Sequence, residues 1–162
     1  MPTPTYTLID SVTLGSSASS VTFSSIDQSY GDLVLVMDLL GDANISIYQR
    51  LNNNSTASAY SYVYMTGTGS ASSLSQSLSF FLIGNGAFVR STSRWLGIEQ
   101  FLDYSATDKH KSVLGRYNNT SDGTDAMAGR WANTAAITQI ESYTSNGNFV
   151  AGSTFHLYGI EA

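Results

Sequence analysis

The chain has 162 residues, a formal net charge of −5 and no cysteine. Disulfides, thiolate metal sites and cysteine nucleophiles are thereby excluded, and the acidic balance argues against nucleic acid, which is held by clustered Lys and Arg. Charged residues make up only 12%, about half the share usual in soluble proteins, and Ser, Thr, Asn and Gly supply the polarity instead.

In chain order, Met1-Pro-Thr-Pro-Thr lacks the basic and apolar regions of a signal peptide. Synthesis in a cytoplasm without secretion is therefore expected. Tyr6-Thr-Leu-Ile-Asp-Ser-Val12 alternates apolar and polar residues with period two, the pattern of a strand with one buried face. It predicts a first strand over 5–14. Similar runs predict strands over 19–26, 32–40, 44–51, 60–66, 77–83, 94–103, 109–117, 125–132, 136–143 and 154–161, about eleven in all. The run from Leu33 to Leu40 is the longest apolar stretch, and Asp38 interrupts it, so no membrane span is expected. Gly41-Asp42 predicts a tight reversal joining the third and fourth strands as a hairpin. Arg50, near the end of the fourth strand, reads as a structural clamp on a neighbouring carboxylate or carbonyl, and arginine also suits interfaces.

Tyr60, Tyr62 and Tyr64 share one face of the fifth strand. Three readings are open: core packing against neighbouring strands, contact with another subunit, or a platform stacking on sugar rings. The serine-rich stretch 67–79 follows and predicts a mobile loop or an arm that orders on a neighbour, in which Ser70, Ser72 and Ser73 are interface candidates together with the tyrosines and Arg50. Lys109-His110-Lys111 is the only locally basic segment and reads as a solvated strand edge. Asn146-Gly147 marks a turn before the last strand, Thr154-Phe-His-Leu-Tyr-Gly-Ile160, which resembles the first and is expected to pair with it.

Catalytic and metal-binding patterns are not met. No Gly-x-Ser-x-Gly elbow occurs, and His110 and His156 are the only histidines. His156 lies between Phe155 and Leu157 and is predicted to face away from them. Nothing in the spacing of Glu99, Asp103, Glu141 and Glu161 selects a glycosidase pair. Asp122 with Asp125, and Asp38 with Asp42, flank glycine turns, but a calcium loop needs more oxygens at fixed spacing. The chain is expected to be no enzyme and to carry no cofactor and no metal. The fold expected for residues 1–162 is a single all-β domain, a two-sheet antiparallel sandwich of jelly-roll type.

The opening Tyr6-Thr-Leu-Ile9, then Val21-Thr-Phe-Ser-Ser-Ile26 and Tyr30-Gly-Asp-Leu-Val-Leu35, resemble small all-β virion proteins of tailed bacteriophages. Trp131-Ala-Asn-Thr-Ala-Ala-Ile-Thr-Gln-Ile140 and the closing Phe149–Ile160 run are similar to the last part of the same group. The resemblance implies a place in the virus particle. As a capsid decoration (cement) protein, the chain would form trimers and bridge major capsid subunits on the capsid surface, without membrane or nucleic acid. As a module of a tail fibre or similar appendage, it would bind a glycan of the host surface.

Overall fold

The computed structural model describes residues 4–69, 71–84 and 88–161. Among them are twelve strands and no helix, so none is long and apolar enough to cross a membrane. The strands are β1 (Tyr6–Thr13), β2 (Ser20–Ser24), β3 (Asp32–Leu39), β4 (Ile47–Leu51), β5 (Tyr60–Gly67) and β6 (Ala71–Leu78), then β7 (Phe81–Ile83), β8 (Trp95–Leu102), β9 (Lys111–Asn119), β10 (Gly123–Trp131), β11 (Gln139–Thr144) and β12 (Thr154–Ile160).

They form two antiparallel sheets. One has eight strands in the order β1-β12-β3-β8-β9-β10-β5-β6, and the other has four in the order β2-β11-β4-β7. The first strand does pair with the last, Tyr6 opposite Ile160 and Thr13 opposite Thr154. The pairing is nested, β1 with β12 and β2 with β11, then β3 with β8 and β4 with β7. This is the wrapping of a rolled double hairpin, as expected for a jelly-roll-like sandwich.

Two sequence expectations are corrected here. Residues 77–83 are not one strand: β6 and β7 lie in different sheets, because Ser79 and Phe80 carry the chain across the sandwich. Gly41-Asp42 does not close a hairpin either. It passes the chain from β3 in the large sheet to β4 in the small one, and Gly41 bonds to Arg90 rather than across a turn.

Alternation decides what is inside. Along β9, every second residue from Lys111 to Asn119 is buried and those between are exposed. Leu33, Leu35, Met37 and Leu39 of β3 point inward against Ile47, Leu51 and Ile140 of the small sheet. Each such side chain contributes about 1.5–3 kcal/mol on burial. In β1 a bulge between Leu8 and Asp10 re-phases the strand, so Leu8 faces out while Ile9 and Val12 pack on the core.

The interior glycines of the large sheet make room for rings. Trp95 stacks on Tyr117, centroids 5.4 Å apart. A Cβ on Gly97 would strike the Trp95 ring, and one on Gly115 would strike the Tyr117 ring and hydroxyl. The bare backbone at these two strand positions lets both rings lie flat along the sheet.

Candidate functional site

The tyrosine ladder settles on the first of its three readings. Tyr60, Tyr62 and Tyr64 are 0%, 3% and 1% exposed, so they offer no surface to a subunit or a sugar. Tyr60 meets Phe81 edge to face at 4.9 Å, and its hydroxyl donates to the Asn54 carbonyl at 2.9 Å and accepts from the Leu51 amide at 3.0 Å. The Tyr62 hydroxyl donates to Gln76 Oε1 at 3.0 Å. The rings point inward because the register of β5 against β10 puts Tyr64 opposite Met127 and Tyr60 opposite Trp131, both interior residues.

The expected mobile loop 67–79 is mostly the edge strand β6, paired to β5 from Gly67–Ala71 to Tyr60–Leu78. Leu74 and Leu78 pack partly on the core while the serines between face out. Ser70 lies outside the described residues. Ser72 pairs with Thr66 through the ladder, and Ser73 is exposed beside Met65 and Arg116. Arg50, on the outer face of the small sheet, clamps no carboxylate or carbonyl among the described residues: its guanidinium carbon lies 4.8 Å over the Tyr143 ring, and its Nε is buried without a hydrogen-bond partner there.

Lys111 overturns the solvated-edge reading. It is 0% exposed and faces the interior with Val113 and Tyr117. Its Nζ donates to the carbonyls of Ala106, Lys109 and Thr134 at 2.6, 3.0 and 3.2 Å. Burial pushes its pKa below the usual lysine range. His110 is exposed, as is Lys109, which pairs with Asp103.

The carboxylates do not converge on one opening. Glu99 is enclosed between the sheets and Glu141 lies on the outer face of the small sheet, while Asp103 and Glu161 are exposed. Asp125 faces the interior and accepts from Thr66 Oγ1 at 2.7 Å. Asp122 faces a loop, where the Arg90 guanidinium, helped by Asn119, holds its pKa below the usual range. Asp42 is likewise held low, by the Asn148 amide and side chain at 2.8 and 2.9 Å, and Asp38 pairs with Arg94 at 2.6 Å.

What stands out instead is the outer face of the eight-stranded sheet. A solvated sheet face ordinarily alternates to polar residues. Here two neighbouring cross-strand rows are largely aliphatic. One runs His156–Val36–Ile98–Arg116–Ala126–Met65 over β12, β3, β8, β9, β10 and β5. The next runs Tyr158–Val34–Gln100–Leu114–Ala128–Val63 over the same strands. The flanking rows are mostly polar, running from Leu96 to Asn118 and Thr124 on one side and from Leu102 to Ser112, Arg130 and Ser61 on the other.

Val63, Met65, Leu96 and Leu114 are 49%, 67%, 50% and 46% exposed on this face. Tyr6 of β1 and Val63 of β5, with five strands between them, line one cleft of about 470 Å³. This cleft makes a trough of the outer face, and Val34 on its floor is only 5% exposed although it faces outward. Arg116 borders this cleft and two adjoining depressions. It makes no hydrogen bond or ion pair among the described residues.

The sequence pattern did not single out Val63, Met65, Leu96 or Leu114. The signal was present in β5, where Val63 and Met65 alternate with the tyrosines, so both faces of one strand are apolar. A strand that is apolar on both faces is covered on both faces or is exposed for a partner.

No family model and no curated protein matches the chain. Among solved structures, exo-inulinase from Aspergillus awamori is 10% identical at a TM-score of 0.39 over 96% of this chain, which spans 29% of that enzyme. A galectin of Caenorhabditis elegans is 10% identical at 0.37, covering 94% of this chain and 96% of the galectin. An alginate lyase variant is 8% identical at 0.34, covering 94% and 80%. At such scores these likenesses carry no argument about activity or ligand.

Proposed function

We propose that the chain is a non-catalytic protein of a bacteriophage particle that docks, through the trough of its eight-stranded sheet, onto the assembled capsid shell. The observation that supports this reading is the exposed aliphatic band of Val63, Met65 and Leu114, with Leu96 beside it in the flanking row, on a face where water ordinarily selects polar residues. Aliphatic side chains in a trough gain by excluding water against other apolar side chains, which is protein chemistry. A sugar site draws on aromatic planes and dense hydrogen-bonding groups. Binding the assembled lattice in preference to free subunits stabilises the shell by mass action, with no bond made or broken. Copies grouped as trimers about local threefold axes would bridge neighbouring shell subunits.

The test is saturable co-sedimentation with empty capsids. The wild-type chain binds, and Met65→Ser with Leu114→Ser abolishes binding while thermal stability is kept. Binding to host cells instead, competed by soluble surface glycan, would replace this reading by that of a tail appendage.

A further inference from the structure

We propose that the trough receives an amphipathic helix of a different protein, and that the helix carries one carboxylate on its apolar face to meet Arg116. The inference rests on reading the trough as a docking face and names the occupant of that face.

The shape selects the occupant. The trough is the face of a sheet, not its edge, so backbone pairing by strand addition is not on offer there. What covers a sheet face is a helix or a second sheet. The apolar band is two residue rows wide, about 10–14 Å, which matches the diameter of one helix. It crosses five adjacent strands from β3 to β5, about 19 Å at the usual strand spacing, or about thirteen helical residues.

The charge selects it further. Arg116 is the one arginine, lysine or carboxylate side chain in the two central rows, with Ile98 and Ala126 directly beside it and Leu114 two residues before it on the same strand. A helix seated here strips water from the guanidinium, and a desolvated cation left unpaired is strongly unfavourable. A carboxylate on the apolar side of the helix satisfies it with bidentate hydrogen bonds. The same argument disfavours a second copy. Two chains related by a twofold axis through the trough would bring two unpaired Arg116 side chains face to face.

The experiment pans a displayed library of helix-forming peptides of about sixteen residues, apolar on one face and randomised at the centre of that face, against the intact chain. Wild type is expected to enrich Asp or Glu at that centre, with at least about tenfold tighter Kd than the Gln or Asn peptide. Arg116→Glu is expected to enrich Lys or Arg in their place. Binders that need Met65 and Leu114 but show no charge preference, or none that changes with residue 116, would overturn this inference and leave the docking face standing. Absence of binders, or binders indifferent to Met65→Ser with Leu114→Ser, would overturn the docking reading and this inference with it. A dimer in sedimentation equilibrium that Leu114→Ser dissolves would make the occupant a second copy, and would also overturn it.

Discussion

Gln49 of β4 and Glu99 of β8 join the two sheets through the middle of the sandwich. Gln49 Nε2 donates to Glu99 Oε2 at 2.6 Å, and the Tyr117 hydroxyl donates to Glu99 Oε1 at 2.7 Å. All three residues are at most 1% exposed. Burial raises the Glu99 pKa to about 7 against the pull of these two donors. When protonated, Glu99 can itself donate to Gln49 Oε1, an atom with no partner in the present amide orientation, and an amide flip is a small step.

This makes Glu99 a source of pH dependence. Between the ordinary value of 4.5 and about 7, the folded chain keeps a proton that the unfolded chain has released. Stability from this group is therefore full below 4.5 and falls as pH rises through that window, by up to about 3 kcal/mol. Glu99→Gln keeps the shape and removes the titration. Thermal melts from pH 4.5 to 7.5 should show the variant gaining on wild type as pH rises; parallel curves would show that Glu99 is not protonated in the fold.

Gly115→Ala places a methyl group where the Tyr117 ring and hydroxyl now lie. The expected loss is about 1–3 kcal/mol in urea unfolding, from overpacking, accompanied by a larger Glu99-dependent pH effect, because the displaced Tyr117 hydroxyl no longer pulls the Glu99 pKa down.

Lys111→Met keeps most of the buried stem but leaves the carbonyls of Ala106, Lys109 and Thr134 without their donor. A cost of about 2–4 kcal/mol follows from unpaired buried acceptors. Hydrogen exchange should show the loosening concentrated in residues 103–110 and 132–136.

Neighbouring positions of β5 should behave oppositely. Tyr64→Ser removes a buried ring and is expected to cost about 3–5 kcal/mol. Val63→Ser, on the trough, should leave the melting temperature almost unchanged, with a stability effect within about 0.5 kcal/mol. Equal losses at both positions would place Val63 in the core.

These contrasts trace what was legible in the sequence. Strand alternation is local, so the two end strands and most of those between could be read directly, and with them the sandwich. Which face of β5 points inward could not, because tyrosines on one face and Val63 with Met65 on the other are both apolar, and long-range register decides between them. Lys111 was misread by its charge, although Val113, Gly115 and Tyr117 at the same parity already placed it on the inner face. Leu74, Gln76 and Leu78 marked β6 with period two, but the serines around them concealed a strand that needs only one apolar side.

The position of β12 sets a schedule for synthesis. It lies between β1 and β3, so both early strands lack this neighbour until residues 154–160 have emerged from the ribosome. At about 5–20 residues per second, the nascent chain spends several seconds with the apolar flank of β3 unpaired. Such distant pairings also fold slowly, on the scale of about milliseconds to seconds. The low share of charged residues, 12%, is then a liability, and chaperone demand should fall on this interval, ending only when the β12 ladders zip.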